Sequence, residues 1–194
     1  PVYRVSELAD AVLAPVRDAL AQLLQAHDPM PAMVMDAAWN VLHMNRGAQW
    51  LATTLMPWMA DLPPGQPINM IDAMLHPEGM TKPITNLEEV APALLAHLRD
   101  DASVVPDILP RVELLAQQMQ QRLGKRVLKP WPRQMAPVLT TRFATRHGEL
   151  AFFSMFSTFG TPQDITLASL RVEHVFPADD VTRAVLTEQL SQSA

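Results

Sequence analysis

The sequence predicts an α+β fold, in which helices pack on one face of a five-stranded antiparallel sheet and an amphipathic helix precedes the sheet. Two observations lead to this class. Apolar residues recur at helical spacing near the start of the chain and again between residues 46 and 123, whereas residues 138–176 alternate with a period of two. The 194-residue chain is also 48% hydrophobic and 18% charged, which is typical of one globular domain with its own core.

The first predicted elements are a helix and two short strands. Residues 6–26 carry apolar side chains at helical spacing and begin at Ser6, a residue type that caps helices. The segment Asp28-Pro-Met-Pro interrupts this pattern. Strands are then predicted over Ala32–Trp39 and Val41–Asn45.

The middle of the chain is predicted to be helical. A helix over Arg46–Met59 and a short helix over Met70–Leu75 flank a proline-rich loop. Asn86 is expected to cap a helix over Leu87–Asp100, and a further helix follows over Asp107–Leu123. Both of these longer helices have one apolar stripe, so we expect each to bury one side.

The last third of the chain predicts an antiparallel meander. Its strands are expected over Val138–Arg146, Glu149–Phe159 and Ile165–Phe176, with a tight turn at His147-Gly148. A final helix is predicted over Asp179–Leu190. Two early strands and three late ones give five in all, which is a PAS-like arrangement.

The composition argues against an enzyme and against a metal or cofactor site. Cysteine is absent, and the six histidines never stand at the H-x-x-x-H or H-x-H spacing of metal ligands. No nucleophile elbow, phosphate-binding loop or dinucleotide fingerprint occurs, and there are only six glycines. We therefore expect no catalytic residues, no metal and no cofactor.

Charge and hydropathy bear on partners and location. The net charge of −5 would repel a phosphate backbone, so direct DNA binding is not expected. No apolar run approaches the length needed to span a bilayer, and the first residues do not resemble a signal peptide. The absence of cysteine is compatible with a reducing compartment, and we expect a cytoplasmic protein without a membrane partner.

Several segments resemble the MmyB-like transcription regulator ligand-binding domain, which follows a helix-turn-helix of the XRE type in many bacterial regulators. The order and spacing of these segments carry the resemblance, which runs from about residue 30 to residue 185. The matching segments are Met35-Asp-Ala-Ala-Trp-Asn-Val-Leu-His-Met-Asn-Arg-Gly-Ala, Ile68-Asn-Met-Ile-Asp-Ala-Met-Leu-His-Pro-Glu-Gly, Asn86-Leu-Glu-Glu-Val-Ala, Gly148-Glu-Leu-Ala-Phe-Phe-Ser and Phe159-Gly-Thr-Pro-Gln-Asp.

The resemblance implies a PAS-like sensor that binds a small apolar molecule, such as a fatty acid, and forms a homodimer. Residues 29–194 would be the ligand-binding domain, and residues 1–28 would be a helix and linker from an upstream DNA-binding domain. The chain departs from the whole regulator because nothing before Ser6 is long enough to form a helix-turn-helix. DNA binding is therefore expected only through an upstream domain that is absent from this chain.

The methionines give independent support for an apolar ligand. Twelve methionines are present, and this flexible side chain suits surfaces that adapt to irregular apolar shapes. For each methionine taken singly, core filling is the favoured alternative. Those that could line one cavity are Met33, Met35, Met44, Met56, Met70, Met74 and Met155.

An acidic headgroup would need a cation or hydrogen-bond donors at the mouth of the pocket. Arginine binds carboxylates through its planar fork, which makes Arg46 and Arg142 candidates beside His43 and Asn45. The alternatives are that Asn45 caps a helix and that the two arginines are plain surface charges.

The strand over Glu149–Phe159 has apolar residues on both faces, so both must be covered. The later helices would cover one face, and the N-terminal helix or a second subunit the other. A dimerisation module without any small ligand is the alternative function. The candidate ligand-binding residues are Met35, His43, Asn45, Arg46, Trp50, Met70, Met74, Arg142, Phe152, Met155 and Phe156.

Overall fold

A computed structural model describes residues 14–63, 65–124, 138–159 and 169–191. The helices are α1 (Ala14–His27), α2 (Arg46–Leu55), α3 (Met70–Leu75), α4 (Leu87–Val104), α5 (Leu109–Leu123) and α6 (Asp180–Ser191). The strands are β1 (Ala32–Met35), β2 (Asn40–Met44), β3 (Ile68–Asn69), β4 (Thr141–Thr145), β5 (Gly148–Thr158) and β6 (Arg171–Pro177). The α+β class predicted from the sequence is confirmed.

The strands form one antiparallel sheet in the order β3-β2-β1-β6-β5-β4. The predicted count of five strands is wrong, since the described residues form a sheet of six. The additional strand is β3, which pairs Ile68 with Val41 and Asn69 with Asn40. Two residues are too few to show the alternation by which strands are recognised in a sequence.

Several predicted boundaries move for local reasons. The strand expected over Ala32–Trp39 ends at Met35, because the Asp36 carboxylate accepts hydrogen bonds from two backbone N–H groups that follow it and so forms a turn. The helix expected over Arg46–Met59 ends at Leu55, since Pro57 begins a separate 3-10 helix. The predicted helix start at residues 6–13, the linker at 129–132 and the strand start at 165–168 lie outside the described residues.

Alternation along β1 divides its side chains between two cores. Met33 and Met35 face the larger core, which α2 to α5 cover, whereas Ala32 and Val34 face a smaller one. The smaller core includes Leu20 and Leu24 of α1. The N-terminal helix therefore covers part of the face opposite the other helices.

The helical layer over the larger core is held by buried leucines and by a polar link. Leu98 of α4 and Leu115 of α5 are almost completely buried, and truncating such a residue to alanine typically costs about 2–5 kcal/mol. Asn86 is the N-cap residue of α4, as predicted, but the expected side-chain cap is wrong, because its side chain does not bond to the backbone of the helix. Its carboxamide instead accepts the Arg142 N–H at 2.9 Å and donates to the Thr140 carbonyl at 2.9 Å. The start of α4 is thereby fixed to the segment that enters β4.

Candidate functional site

A cavity of about 310 Å³ lies between the sheet and helices α2, α3 and α4. Ligand pockets in proteins run from roughly 300 to 1,000 Å³, so this space is at the lower end of that range. Most of its wall is apolar. The apolar lining comprises Met33, Leu51, Leu55, Met70, Met74, Met80, Ile84, Val90, Ala93, Leu94, Leu139, Phe143, Phe152, Phe156 and Val175, together with the Trp39 ring.

Strand periodicity explains which side chains of β5 and β6 reach the cavity. Every second residue points to the helical side, so Phe152, Ser154 and Phe156 of β5 line it together. On β6 the same rule places Glu173 and Val175 in the lining. These two strands are paired in the middle of the sheet, and they therefore supply most of the cavity floor.

Glu173 is the one carboxylic acid among the side chains that line this cavity. Its strand neighbours in register are Met33 on β1 and Phe156 on β5, which are both apolar. Burial raises the pKa of the Glu173 carboxyl, and a hydrogen bond from Ser154 and the charge of Arg171 offset part of this effect. An acidic side chain on the inner face of a central strand is costly to bury, and it lowers the hydrophobicity of the cavity at one point.

Next to Glu173, a cluster of polar and aromatic groups borders one end of the cavity. The Trp39 indole N–H donates to Asp101 Oδ2 at 2.8 Å, and Arg171 Nη1 donates to the same oxygen at 2.7 Å. The Arg171 guanidinium also lies 4.2 Å from the centre of the Trp39 ring. Trp39 has a φ of 67°, a conformation that is unfavourable for a bulky residue and that these contacts hold in place.

His97 of α4 completes this end. Its ring centre lies 5.6 Å from that of Trp39 and 5.4 Å from that of Phe156. Its Nε2 atom lies 3.8 Å from Asp101 Oδ2, which is beyond hydrogen-bond distance, and no closer hydrogen-bond partner is found among the described residues. Phe156 is 42% exposed although it lines the cavity, so the cavity meets solvent at this end. The polar groups thus lie at the mouth, and the apolar wall lies behind them.

A second space of about 50 Å³ adjoins the cavity between α2 and β2. The two spaces share wall residues, among them Met33, Met70 and Met80. Met44 and Met56 line only the small space. Because methionine side chains change rotamer easily, small movements of the shared methionines could join the two spaces.

Comparison with models of known protein families identifies the family of the chain. A family model described as the MmyB-like transcription regulator ligand binding domain matches residues 16–188. The chain belongs to this family. The match confirms the resemblance that the sequence segments indicated, and the family is a ligand-binding domain of regulators and not a class of enzyme. No curated protein matches the chain.

In this MmyB-like domain, the predicted ligand-binding residues fall into two groups. Met70, Met74, Phe152 and Phe156 are brought together in the cavity wall. The other seven do not line it, and each has a different place in the fold. They are Met35, His43, Asn45, Arg46, Trp50, Arg142 and Met155.

Asn45 has the structural role that was the alternative at the sequence level. Its side-chain oxygen accepts the Ala48 N–H at 2.9 Å, which caps α2, and also accepts the Ala32 N–H at 2.9 Å. Its amide donates to the carbonyls of Met30 at 2.8 Å and Leu24 at 3.2 Å. All of these partners are backbone groups, so the buried side chain joins three segments of the MmyB-like domain.

The three basic candidates lie away from the cavity. Arg46 Nη2 donates to the Leu190 carbonyl at 2.6 Å, beside a separate open groove of about 230 Å³. Arg142 is exposed and pairs with Glu149 at 3.4 Å. His43 is exposed on β2. A carboxylate bound in the cavity would therefore not meet these side chains.

The remaining candidates differ in burial. Met35 is fully buried in the larger core, but it packs without facing the cavity. Trp50 is half-buried and its ring centre lies 5.5 Å from that of His147. Met155 is 58% exposed because it points to the face of β5 opposite Phe156.

The polar lining residues Glu173, Ser154, His97 and Thr141 were missed at the sequence level. A signal existed in the segment Leu170-Arg-Val-Glu-His-Val-Phe, where alternation places Glu173 on the same face as Val175. An acidic residue on a face that must be buried is informative. His97 gave no such signal, because its position on α4 borders both the apolar stripe and the exposed side.

Two further properties concern the described part of the MmyB-like domain. No group of three or more His, Cys, Asp or Glu side chains within residues 14–63, 65–124, 138–159 and 169–191 is placed to hold a metal ion. The helices in these ranges also lack one with the length and apolar character required to cross a bilayer.

Proposed function

We propose that this domain senses a small apolar molecule in the cavity beneath α2, α3 and α4 and transmits its presence to a DNA-binding domain. One observation carries the proposal: a ligand-binding domain of transcription regulators contains an apolar cavity of about 310 Å³ with polar groups at its mouth. Met70, Met74, Phe152 and Phe156 would contact the ligand. Residues 1–28 would connect to the DNA-binding domain.

The volume limits the size of the ligand. A water molecule occupies about 30 Å³ of liquid, and a carbon or oxygen atom with its hydrogens occupies a similar volume, so the cavity accommodates about ten non-hydrogen atoms. A medium-chain fatty acid or another small apolar compound meets this limit. The adjoining space of about 50 Å³ would add one or two atoms if the shared methionines moved.

A ligand regulates only if it binds one arrangement of the domain more tightly than another. Helix α4 is the element through which this would occur, since it supplies Leu94 and His97 to the cavity and Asp101 to the pair with Arg171. A ligand that displaced α4 would also strain the contacts of Asp101. We therefore expect ligand binding to change the position of α4 relative to the sheet.

Native mass spectrometry of the purified chain tests the proposal, followed by denaturing extraction of any bound compound. A mass excess that resolves to an apolar molecule of about ten non-hydrogen atoms is the expected result. A titration with saturated fatty acids of increasing length should show the tightest binding near that size. No bound molecule, together with no change in thermal stability across the series, would contradict a sensor and leave a dimerisation module as the function.

Homodimer formation is the second part of the proposal. Exposed apolar side chains support it, namely Met155 on the outer face of β5 and, at a separate place, Val181 on α6. Sedimentation velocity over a range of concentrations measures the association. A Met155→Lys variant should shift the equilibrium toward monomer, and a monomeric wild-type chain at all concentrations would contradict this part.

A further inference from the structure

The last turn of α1 meets the sheet through two histidines, on the face opposite the cavity. His27 ends α1, and its ring centre lies 5.0 Å from that of His174 on β6. The ring of His27 also lies 5.0 Å from that of Phe176, which stacks on Phe153 of β5. Both histidine side chains are half-buried, so their surroundings disfavour a charged ring.

Hydrogen bonding at the two rings also favours their neutral forms. His174 Nε2 lies 2.8 Å from the Ser157 hydroxyl oxygen, whereas the buried Nε2 of His27 has no hydrogen-bond partner among the described residues. A neutral imidazole has one donor nitrogen and one acceptor nitrogen, but an imidazolium donates from both. Protonation of His27 would therefore leave a buried N–H group without an acceptor, and protonation of both rings would place two positive charges side by side.

The sheet supplies no compensating charge to this contact in the part of the chain that the structure describes. Ala32 on β1 and Met155 on β5 are the neighbours of His174 in register, and neither side chain ionises. Strand alternation directs Glu173 and Arg171 to the cavity side of β6. Helix α6, which carries acidic residues, packs into the larger core on that same side. A protonated His174 would thus meet no carboxylate from these elements.

The charged groups of α1 and of the loop after it are also directed or placed away from the two rings. Asp28 follows His27 in the chain, but its side chain lines the open groove that contains Arg46. Arg17 and Asp18 lie more than two turns before His27, which is about 14 Å along a helix. The titration of this contact therefore depends on the two histidines.

We propose that this contact is a pH-sensitive switch, which holds the end of α1 on the sheet while His27 and His174 are neutral and releases it when they are protonated. Burial lowers the pKa of His174, and the nearby His27 lowers it further. Folding thus favours the neutral ring, so the contact is complete above pH 6.5 and weakens as the pH falls from there to the lowered pKa. The switch itself needs no ligand. Only its effect on DNA binding would rest on the proposed function, in which residues 1–28 connect to the DNA-binding domain.

Hydrogen exchange measured by mass spectrometry at about pH 7.5 and about pH 5.5 tests the switch in the wild-type chain. After correction for the intrinsic exchange rate, the last turns of α1 should open about tenfold more readily at the lower pH, since a difference of one pKa unit is a factor of ten. Helix α5, which packs into the larger core on the other side of the sheet, should not change. A local measurement is needed because the Glu173 carboxyl also has a shifted pKa and affects global stability. No change in α1, or an equal change in α5, would overturn the inference.

The His174→Gln variant separates the histidine pair from other effects of pH. Glutamine can still bond to the Ser157 hydroxyl but does not take up a proton, so the response of α1 should fall to about twofold at most. His27→Gln removes the other ring and repeats the test if the first variant does not fold. His43→Gln is the matched control, because His43 is exposed on β2, two strands from β6, and this variant should keep the full wild-type response. A full response in a folded His174→Gln or His27→Gln variant would overturn the inference and leave the sensor proposal, which concerns the cavity, intact.

Discussion

Filling the cavity should make the protein more stable and less able to bind a ligand. Ala93 lies on α4 and lines the cavity, so an Ala93→Leu substitution places three more carbon atoms in it. These occupy about 90 Å³ at roughly 30 Å³ each. This is less than a third of the 310 Å³ available. At about 0.8 kcal/mol for each buried carbon, the free energy of unfolding should rise by about 2 kcal/mol.

Urea denaturation followed by circular dichroism measures this change. For a domain of this size, about 2 kcal/mol corresponds to an increase of about 4–8 °C in Tm. Ala96→Leu is the matched control, because Ala96 is exposed on the same helix. It should change the free energy of unfolding by no more than about 0.5 kcal/mol. The Ala93→Leu variant should also bind a medium-chain fatty acid more weakly than the control does.

Two other outcomes for Ala93→Leu would contradict an open ligand cavity beside α4. Overpacking a filled core costs about 1–3 kcal/mol, so a destabilised Ala93→Leu variant would mean that the space beside α4 is not open. A stabilised variant that bound the fatty acid as tightly as the wild type would mean that the ligand binds elsewhere. Only higher stability together with weaker binding fits a cavity that is kept open for a ligand.

Three further predictions concern buried polar groups. Asn45→Ala should lower the free energy of unfolding by about 2–4 kcal/mol in urea denaturation, because it leaves several buried backbone groups unpaired; a loss below about 1 kcal/mol would contradict the joining role. Thr182→Val removes the hydroxyl that accepts the Ala151 N–H at 2.9 Å, and it should cost about 1–3 kcal/mol, whereas an unchanged Tm would show that water replaces this bond. The raised pKa of Glu173 means that its protonated form is favoured by folding, so its stabilising effect is complete below pH 4.5 and is lost as the pH rises through the folded-state pKa. Stability curves of wild type and Glu173→Gln should therefore diverge in favour of the variant as pH rises above 4.5, and parallel curves would contradict a buried carboxyl.

The elements with a long, regular pattern could be predicted from the sequence, and the short ones could not. Alternation identified β4, β5 and the described part of β6, and the apolar stripes identified α4 and α5. The two-residue strand β3 has too little sequence to show any pattern. The side-chain cap expected from Asn86 was wrong for a different reason. An asparagine side chain can bond either to the start of a helix or to the backbone of an adjacent strand, and only the tertiary fold decides between these partners.

The sequence predicted the apolar residues of the candidate site better than its polar residues. Phe152 and Phe156 follow from strand alternation, and Met70 and Met74 follow from helical spacing, so local periodicity was enough. The basic candidates were chosen by nearness along the chain, yet Arg46 bonds to Leu190 across the fold. Sequence distance does not give the direction in which a long side chain points, and the polar end of the cavity was missed for this reason.

The central position of β6 has a consequence for how the chain folds during synthesis. β1 pairs with β6, as Ala32 does with His174, across nearly the whole length of the chain, while β4 and β5 form a local hairpin. Without β6, the β1–β3 half and the β4–β5 half of the sheet have no common strand. The nascent chain therefore has β1 and β5 each unpaired on one edge until residues 171–177 leave the ribosome. Such distant pairing is slow, and an unpaired strand edge invites association, so this interval is the one in which the chain is most exposed to aggregation.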